Sequence, residues 1–426
     1  MGHIIGKDIY KELGKKIDNT PVRTPWNADF QDMLKSLYSV EEAELVVKMP
    51  YRPSSLERVS HITGFEKKRL SHMLDTLCAK GLVLDTWDGR EYQYMISPIV
   101  IGIFEFTMMR TGKDLSYKKW AEIFNNYMFG SNDFLEANFG DGQQVSIMRA
   151  MPHEEVIKNA EYVEILDYEK ASHMIESNEK FAVGLCSCRH EKMHLGEQGC
   201  DVPLETCTTM GEAADFIIRN NFGREICKSE MQDILDRSKD MGFTLSTDNV
   251  KQNPGFICHC CGCCCNLMKA VRETGYNGIL VTSTFMAKTD LDACNGCGLC
   301  AKACPIDAIE IQVEEPTVES GGKKIRKAVI DESICLGCGV CALKCKQDAL
   351  TLEKREQKVL HPENSIERVL LQSLERGTLQ NLIFDNPNSK SHEFMRGVLG
   401  AFFKLSPVQK AMMSDTLRSR FFSALK

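Results

Sequence analysis

The sequence lacks most of the features that identify a membrane protein or a common class of enzyme. Its first residues, MGHIIGKDIYKELGKKID, are polar and charged, so they contain no apolar stretch of the signal-peptide kind. The most apolar run, from Ile99 to Met109, contains Glu105 and is too short to cross a bilayer. No P-loop, G-x-G-x-x-G, nucleophile-elbow or H-E-x-x-H motif is present. We therefore expect a cytoplasmic protein with no membrane span and no nicotinamide site, although a flavin, which needs no short motif, is not excluded.

The chain also lacks an excess of basic residues. It contains 52 lysines and arginines against 59 aspartates and glutamates, which gives a formal net charge of −7. A protein whose main partner is nucleic acid needs a basic face that neutralises phosphates. Metal clusters held by thiolates would deepen the negative charge, because a four-iron cluster with four thiolates carries roughly −2 when oxidised. The charge balance therefore argues against nucleic acid as the main partner.

Cysteine is the residue that the sequence has in excess. The chain contains 20 cysteines, and all but Cys78 and Cys227 belong to clusters of close spacing. We predict that these two exceptions are thiols of the hydrophobic core. Because the cytoplasm keeps thiols reduced, close cysteine spacings there indicate metal binding rather than disulfide bonds.

Two consecutive repeats contain the clearest motif of the sequence. The first reads DACNGCGLCAKACP and the second SICLGCGVCALKCK, so both have the spacing C-x2-C-x2-C-x3-C. The pair resembles bacterial-type ferredoxin domains that carry two [4Fe-4S] clusters, over roughly Thr289 to Glu353. Two departures from that pattern are Lys346 in place of a proline and a longer connection, which we predict to be two strands joined at Gly321-Gly322.

The resemblance implies which cysteines share a cluster. In such domains three thiolates of one loop bind a cluster together with the fourth cysteine of the other repeat. One cluster would then be held by Cys294, Cys297, Cys300 and Cys345, and the other by Cys335, Cys338, Cys341 and Cys304. Glycines at positions 296, 298, 337 and 339 would let backbone amides approach the sulfurs. A zinc ribbon is the alternative, but it would leave four thiols without a metal.

A second cysteine-rich region precedes the repeats. It contains GLCSCRHEKMHLGEQGCDVPLETCT and ICHCCGCCCN, separated by the helical pattern KSEMQDILDRSKDMGF, which we expect to begin at Ser229 and to end at Gly242. From Pro152 onward this arrangement resembles a group of anaerobe iron–sulfur proteins that also end in a ferredoxin-like domain. The resemblance implies one or two additional clusters. The candidate ligands are Cys186, Cys188, Cys200, Cys207, Cys258, Cys260, Cys261, Cys263, Cys264 and Cys265.

The sequence does not determine which of these ten thiols act together. If the stretch were a strand, Cys258 and Cys260 would face one side, and Cys261, Cys263 and Cys265 the other. Four of the ten could instead bind zinc, or the thiols could be structural or form disulfides. The CCG tripeptide also resembles the cysteine-rich domains of heterodisulfide reductases, but no further C-x2-C precedes the repeats as that family requires.

Three polar residues beside these cysteines have more than one interpretation. His259 is either an unusual metal ligand or, as we favour, a hydrogen-bond partner of sulfur. Arg189 and His190 either balance the charge of a cluster or meet a substrate, or they are solvated surface residues.

The N-terminal region predicts a different kind of domain. SSLERVSHITGF is a helix pattern capped by Ser54, Glu66 to Lys80 is a second helix, and LVLDTW and EYQYMI form a hairpin around Asp88-Gly89. This order resembles the winged-helix domains of bacterial regulators. The presumed recognition helix is basic only at residues 67–69, KKR, so we favour a docking role over DNA binding.

The C-terminal region is predicted to be helical. SIERVLLQSLERGTLQNLIF is amphipathic, and Ser406-Pro407 begins a final helix pattern. We expect these helices to pack over the ferredoxin domain or against a partner chain.

The sequence thus predicts a multidomain α+β protein. Its parts are a winged-helix-like domain with flanking helices (1–112), a cysteine-rich central α/β domain (113–284), a dicluster ferredoxin domain (285–355) and a helical extension (356–426). The favoured function is one-electron transfer as a subunit or partner of an anaerobic oxidoreductase. The alternatives are a redox-sensing winged-helix transcription regulator and a reductase whose central cluster binds substrate. The expected partner is a redox protein, with a homo-oligomer and, less favoured, DNA as alternatives.

Overall fold

The computed structural model describes residues 8–112, 115–139, 145–157, 167–275, 280–314, 325–356, 359–405, 407–408 and 412. The chain forms two compact units. One consists of Met1–Asn138, Phe216–Phe222 and Glu363–Lys426, and the other of Phe139–Asp215 and Gly223–Pro362. Because this division is coarser than the predicted one, the four-domain division stays a prediction. Helices and antiparallel strands both contribute, which confirms the α+β class.

The helices are α1 (Ile9–Ile17), α2 (Ala28–Leu37), α3 (Val40–Lys48), α4 (Leu56–Thr63), α5 (Lys67–Ala79), α6 (Phe104–Arg110), α7 (Tyr117–Phe129), α8 (Asp133–Phe139), α9 (Ala171–Glu176), α10 (Ser187–Leu195), α11 (Gly211–Arg219), α12 (Lys228–Met241), α13 (Asn266–Thr274), α14 (Leu299–Ala303), α15 (Val340–Leu343), α16 (Ser365–Glu375), α17 (Leu379–Ile383) and α18 (Lys390–Phe403). Within the described residues, no helix combines the length and apolar character that a membrane crossing requires.

The strands are β1 (Ser54–Ser55), β2 (Val83–Trp87), β3 (Tyr92–Ile96), β4 (Met148–Met151), β5 (Phe181–Leu185), β6 (Glu205–Met210), β7 (Gly223–Ile226), β8 (Thr244–Asp248), β9 (Phe256–Cys260), β10 (Leu280–Val281), β11 (Phe285–Thr289), β12 (Ile309–Glu314), β13 (Ile325–Ile330) and β14 (Leu350–Lys354).

The first unit contains a three-stranded antiparallel sheet of order β1-β3-β2, with α4 and α5 between the first two of these strands in sequence. This is the predicted order of two helices and a hairpin. The cap of α4 differs from the prediction: Ser55 accepts the Arg58 amide at 3.3 Å, because Ser54 already belongs to β1. The apolar face of α5 buries Leu70, Leu74 and Leu77, as its spacing predicts.

A short inserted segment, Phe216–Phe222, completes this unit. Arg219 forms two hydrogen bonds with the Asp85 carboxylate, at 3.0 and 3.1 Å, on strand β2. The rings of Phe216 and Phe222 pack on Phe106, with centroid distances of 5.3 and 4.8 Å. The segment is therefore held to the hairpin by an ion pair and to α6 by an aromatic cluster.

The C-terminal helices also belong to the first unit, and their expected packing over the ferredoxin domain or against a partner chain stays a prediction. The predicted amphipathic helix is interrupted at Gly377, which has a φ of 64°, so it becomes α16 and α17. Asp385, after α17, is paired with Arg58 at 2.8 Å and with Arg52 at 3.3 Å. The sequence analysis did not predict α18, and most of the final helix pattern lies outside the described residues.

The second unit is built on a seven-stranded sheet of order β10-β4-β8-β9-β6-β5-β7. All neighbouring strands are antiparallel except β10 and β4. Met174 of α9 and Met231 and Leu235 of α12 belong to the hydrophobic core that lies against this sheet. Strand β9, which carries Cys258 and Cys260, lies in the middle of the sheet between β8 and β6.

The ferredoxin-like part of this unit contains two antiparallel strand pairs, β11 with β14 and β12 with β13, and two short helices, α14 and α15. The two strands predicted for the extended connection are β12 and β13, which confirms that prediction. Their expected turn at Gly321-Gly322 lies outside the described residues.

Candidate metal centres

The loops of the two repeats contain glycines in a conformation that other residues rarely adopt. Gly296, Gly298, Gly337 and Gly339 have φ angles of 63°, 82°, 66° and 82°. At Gly337 a Cβ atom would lie 1.9 Å from the carbonyl oxygen of Phe285. These glycines therefore permit both the left-handed backbone and the close packing of the loops.

The cysteines of the first predicted set surround one cavity. Its lining includes backbone atoms of the first loop, apolar side chains of Ile311, Ala328 and Leu350, and the four residues Cys294, Cys297, Cys300 and Cys345. The amide of Ala328 donates to Cys294 Sγ at 3.5 Å. The structure thus brings the fourth cysteine of the second repeat to the first loop.

The cysteines of the second set lie together in an apolar environment. Burial, assisted by the neighbouring Cys304 and Cys335 thiols, raises the pKa of Cys338 to about 12. Burial also raises the pKa of Cys341, with the same neighbours adding to the shift. The amide of Ala308 donates to Cys304 Sγ at 3.2 Å. Since a ligating thiol must be deprotonated, a metal bound here would have to displace tightly held protons.

Six of the ten central cysteines form a second set, which we call the buried thiol group; Cys265 is buried and the other five are half-buried. Its members come from four elements: β9, β6, the start of α10 and the start of α13. They are Cys186, Cys188, Cys207, Cys258, Cys260 and Cys265. Cys258 and Cys260 lie on the same face of β9, as the strand alternation predicts, and Cys207 is the direct partner of Cys258 on β6.

Four of these thiols shift the pKa values of one another in sequence: Cys258 with Cys260, Cys260 with Cys265, and Cys265 with Cys188. The contact with Cys260 lowers the pKa of Cys258, but burial and the Cys207 thiol outweigh it and raise that pKa to about 12. Burial, assisted by Cys188, likewise raises the pKa of Cys186 to about 12. Bare thiols here would therefore stay protonated at neutral pH.

Two helices direct their N-terminal ends at the buried thiol group. Cys186 and Cys265 are the N-cap residues of α10 and α13, and neither cap has a side-chain hydrogen bond. The backbone amide of Asn266 favours the thiolate form of Cys188, and that of Met268 favours the thiolate form of Cys265. Because a helix N-terminus carries partial positive charge and unpaired amides, both helices favour thiolates at this position.

The remaining four central cysteines form the thiol quartet, Cys200, Cys261, Cys263 and Cys264. Their four Sγ atoms all lie within 4.8 Å of one another. Cys200 lies between α10 and β6, and the other three lie in the turn that follows β9. The expectation that Cys261, Cys263 and Cys265 share a strand face is wrong, because β9 ends at Cys260 and the chain turns.

Arg189 lies between the two central sets and is buried, with 1% of its surface exposed. Its guanidinium donates to Thr206 Oγ1 and, at 2.6 Å, to the carbonyl oxygen of His259. Burial opposes its charged form, but the Cys186 and Cys261 thiols raise its pKa above the ordinary value. His190 is buried as well. The solvated-surface interpretation is therefore wrong for both residues.

His259 faces away from the sulfurs. Its Nδ1 is 2.7 Å from Ser238 Oγ, and its Nε2 is 3.0 Å from Thr208 Oγ1. Burial lowers its pKa to about 3, so the ring is neutral near neutral pH. Both ring nitrogens are engaged by hydroxyl groups, which leaves neither available for a metal or for sulfur, so the favoured interpretation of His259 as a hydrogen-bond partner of sulfur is wrong.

Sequence reasoning missed two residues that connect the cysteine-rich regions. Thr244 of β8 is the direct partner of Cys260 on β9, and its hydroxyl interacts with the Cys338 thiol. The amide of His153 donates to the Cys338 carbonyl at 3.0 Å, while its Nε2 donates to the Phe243 carbonyl at 2.7 Å. These contacts join residues far apart in sequence, so no local pattern could have indicated them.

The two isolated cysteines have different environments. Cys78 is buried, as predicted. The prediction that Cys227 is a core thiol is wrong, because Cys227 is exposed and is the N-cap residue of α12. The predicted cap, Ser229, lies in the first turn of that helix, and its hydroxyl is 3.1 Å from Cys227 Sγ. The predicted end at Gly242 is confirmed.

A comparison with protein families identifies the repeat region. Residues 293–349 match the family model described as "4Fe-4S dicluster domain". No curated protein matches the chain, and no solved structure matches it. The match contains all eight cysteines of the two repeats and lies within the region for which the sequence resembles ferredoxins.

Proposed function

We propose that the protein is an iron–sulfur electron-transfer protein that holds three [4Fe-4S] clusters and serves an oxidoreductase as subunit or partner, in a reducing compartment. Two clusters belong to the dicluster domain and one to the buried thiol group. The match of residues 293–349 to the 4Fe-4S dicluster family is the observation on which this proposal depends most.

The eight repeat cysteines suit two clusters with exchanged fourth ligands. Cys345 lines the same cavity as the three cysteines of the first loop. Cys304 is an electrostatic neighbour of Cys335, Cys338 and Cys341. When bound, such clusters supply one-electron redox chemistry at a potential set by hydrogen bonds to sulfur and by burial. The protein contributes the thiolates, the amide donors of Ala308 and Ala328, and an apolar surrounding that limits water.

The buried thiol group suits an additional cluster. We assign Cys188, Cys258, Cys260 and Cys265 as its ligands, because these thiols interact with one another in sequence, while no three of their sulfurs all lie within 4.8 Å of one another. Two helix N-termini and the Arg189 guanidinium offset the negative charge that four thiolates would bring. Without metal these thiols would make folding less favourable. Their burial disfavours ionisation, and contacts between polar sulfurs replace apolar core packing.

The contacts of Thr244 support electron transfer between the two regions. Residues paired directly on antiparallel strands project to the same face, so Thr244 and Cys260 lie side by side. The Thr244 hydroxyl interacts in turn with Cys338. A ligand of one proposed cluster is therefore separated from a ligand of another by one side chain, which gives a short route for single electrons.

We further propose that the N-terminal helices and hairpin form a winged-helix-like docking module for the redox partner. Of the three basic residues at 67–69, Lys67 pairs with Glu57 and Arg69 pairs with Glu41. Acidic neighbours that neutralise a recognition helix weaken its attraction for phosphates. This favours protein docking over the transcription-regulator alternative.

An iron and acid-labile sulfide count on anaerobically purified protein tests the proposal. Three clusters predict about 12 irons and 12 sulfides per chain. Cys341→Ser and Cys260→Ser should each remove about four irons, from different regions, while Cys227→Ser should remove none. Electron paramagnetic resonance after reduction should lose a different signal in each of the first two variants.

The iron count distinguishes failure of the additional cluster from failure of the whole proposal. About eight irons in the wild type, with no loss in Cys260→Ser, would contradict the additional cluster and leave the dicluster assignment intact. A colourless protein without iron, purified free of oxygen, would contradict the whole proposal.

A further inference from the structure

The thiol quartet differs from the other cysteine groups in how closely its sulfurs approach. The Sγ atom of Cys200 is 3.8 Å from that of Cys261 and 3.7 Å from that of Cys264, and the Cys263 and Cys264 sulfurs are 3.6 Å apart. We propose that the quartet binds a single zinc ion in tetrahedral coordination, as a structural site distinct from the iron–sulfur clusters. This goes beyond the proposed function and does not depend on it.

The distances favour one ion over a cluster. Zinc holds thiolate sulfur at about 2.3 Å in a tetrahedron, which places the sulfurs about 3.8 Å from one another. The thiolates of a four-iron cluster bind four different irons at the corners of a cube, so their sulfurs lie about 6 Å apart. The measured separations of 3.6–3.8 Å agree with the single ion and are too short for the cube.

The repeat cysteines provide a comparison within the same chain. All eight are among the described residues and lie within the match to the 4Fe-4S dicluster family, and the proposed function places them on four-iron clusters. In the described part of the chain, the quartet is the one group of three or more metal-ligating side chains whose donor atoms lie within 4.8 Å of one another. The structure therefore spaces cluster thiols more widely than it spaces the quartet.

The local sequence also suits zinc. Cys261 and Cys264 form a C-x2-C pair on a tight turn, which is the spacing that structural zinc sites use, and Cys200 and Cys263 complete four ligands. The approach of the two loops requires a glycine before Cys200. A Cβ atom on Gly199 would lie 2.9 Å from the Cβ of Cys263.

A purely apolar role for the four cysteines explains less. The small hydrophobic cluster around them contains only Val202 and Phe243 besides cysteines, and Cys263 is exposed. Dispersion contacts alone give no reason for four sulfurs to converge on one point, and crowded, partly exposed thiols without a metal are prone to oxidation. A four-thiolate zinc site leaves no open coordination position, so its role would be to fix the loop of Cys200 to the turn after β9.

Metal analysis of two neighbouring variants tests this inference. Anaerobically purified wild type should contain about one zinc per chain besides its iron, and zinc X-ray absorption should show four sulfurs at about 2.3 Å. Cys264→Ser should lose the zinc and keep its iron. Cys265→Ser, one residue later but in the buried thiol group, should keep the zinc, and Cys227→Ser should change neither metal.

The same measurements can overturn the inference. Wild type without zinc, an iron bound singly by the quartet, or a loss of about four irons in Cys264→Ser would each contradict it. If Cys264→Ser does not fold, the exposed Cys263→Ser and the absorption spectrum of the wild type still decide. The iron count of the repeats and the buried thiol group is read separately, so failure here is distinct from failure of the proposed function.

Discussion

The two cysteine-rich regions of the second unit organise their thiols in different ways. In the repeats each loop supplies three cysteines of one set, and only the fourth comes from the other repeat. In the central region neighbours in sequence separate: Cys264 belongs to the thiol quartet, whereas Cys265 belongs to the buried thiol group. Cysteine spacing in the sequence therefore predicts which cysteines lie together where one loop forms most of a site. It does not predict this where several elements distant in sequence form the site.

This difference has a physical origin. A loop with glycines at positive φ folds its own cysteines around one centre, so the ligand pattern is a local property. The central sets depend on where β9 ends and on which helices begin beside it. Those features result from the packing of the seven-stranded sheet, which a cysteine pattern does not encode.

Among the tests of this comparison, the largest effect on iron content is expected for a substitution at Gly337. Substitution of Gly337 by alanine should remove about four irons, because the new Cβ would meet the Phe285 carbonyl oxygen at 1.9 Å. Gly298 is the matched control, with a φ of 82° and Ile311 as its nearest neighbour at 3.7 Å. Gly298→Ala should keep its iron and lose only about 1 kcal/mol of stability through backbone strain. Equal iron contents in the two variants would show that the close packing at Gly337 is not needed for the loop to hold its cluster.

An intermediate effect is expected at Arg189, on which the central region depends. With metal-bound thiolates around it, Arg189→Met should destabilise the protein by about 3–5 kcal/mol, because it leaves buried negative charge uncompensated. Thermal unfolding of anaerobic protein, compared with exposed Arg224→Met, which should cost less than about 1 kcal/mol, measures this. If the central thiols were neutral, removing an isolated buried cation would instead raise the stability.

The smallest expected effect is the alkylation of a single thiol. It tests whether metal binding protects the cysteines of both regions from alkylation. In metal-loaded protein, iodoacetamide should modify Cys227 and none of the repeat and central cysteines that we assign as metal ligands. Hydrogen bonds from the Ser229 hydroxyl and the Glu230 amide lower the pKa of Cys227, so its thiolate and its alkylation should appear at lower pH than in an ordinary thiol. Burial raises the pKa of Cys78, which should react only after unfolding. Mass spectrometry across a pH series identifies the modified residues, and equal labelling of clustered cysteines would contradict the proposed occupancy.

The sequence predicted the parts of the fold whose signals are local. The helices α4, α5 and α12, the hairpin of β2 and β3, and the strands β12 and β13 follow from periodicity, caps and turns. The predictions failed where tertiary structure overrode a local rule. Ser54 is part of a strand rather than a helix cap, and the N-cap residue of α12 is Cys227 rather than Ser229. The burial of Arg189 and the role of Thr244 could not be predicted, since both depend on strand pairing across the sheet.

The contacts of Arg272 have a consequence for how oxidative damage spreads through the protein. The Nη1 atom of Arg272 donates to the carbonyl oxygens of Gly262, at 2.7 Å, and of Pro305, at 2.5 Å. The first lies inside the quartet's turn and the second directly follows Cys304, so this side chain ties the turn to the dicluster loops. Oxidative damage that displaces Pro305 should therefore also loosen the turn at Gly262. We expect air-exposed protein to gain a protease cleavage site there, which limited proteolysis would detect as a marker of damaged molecules.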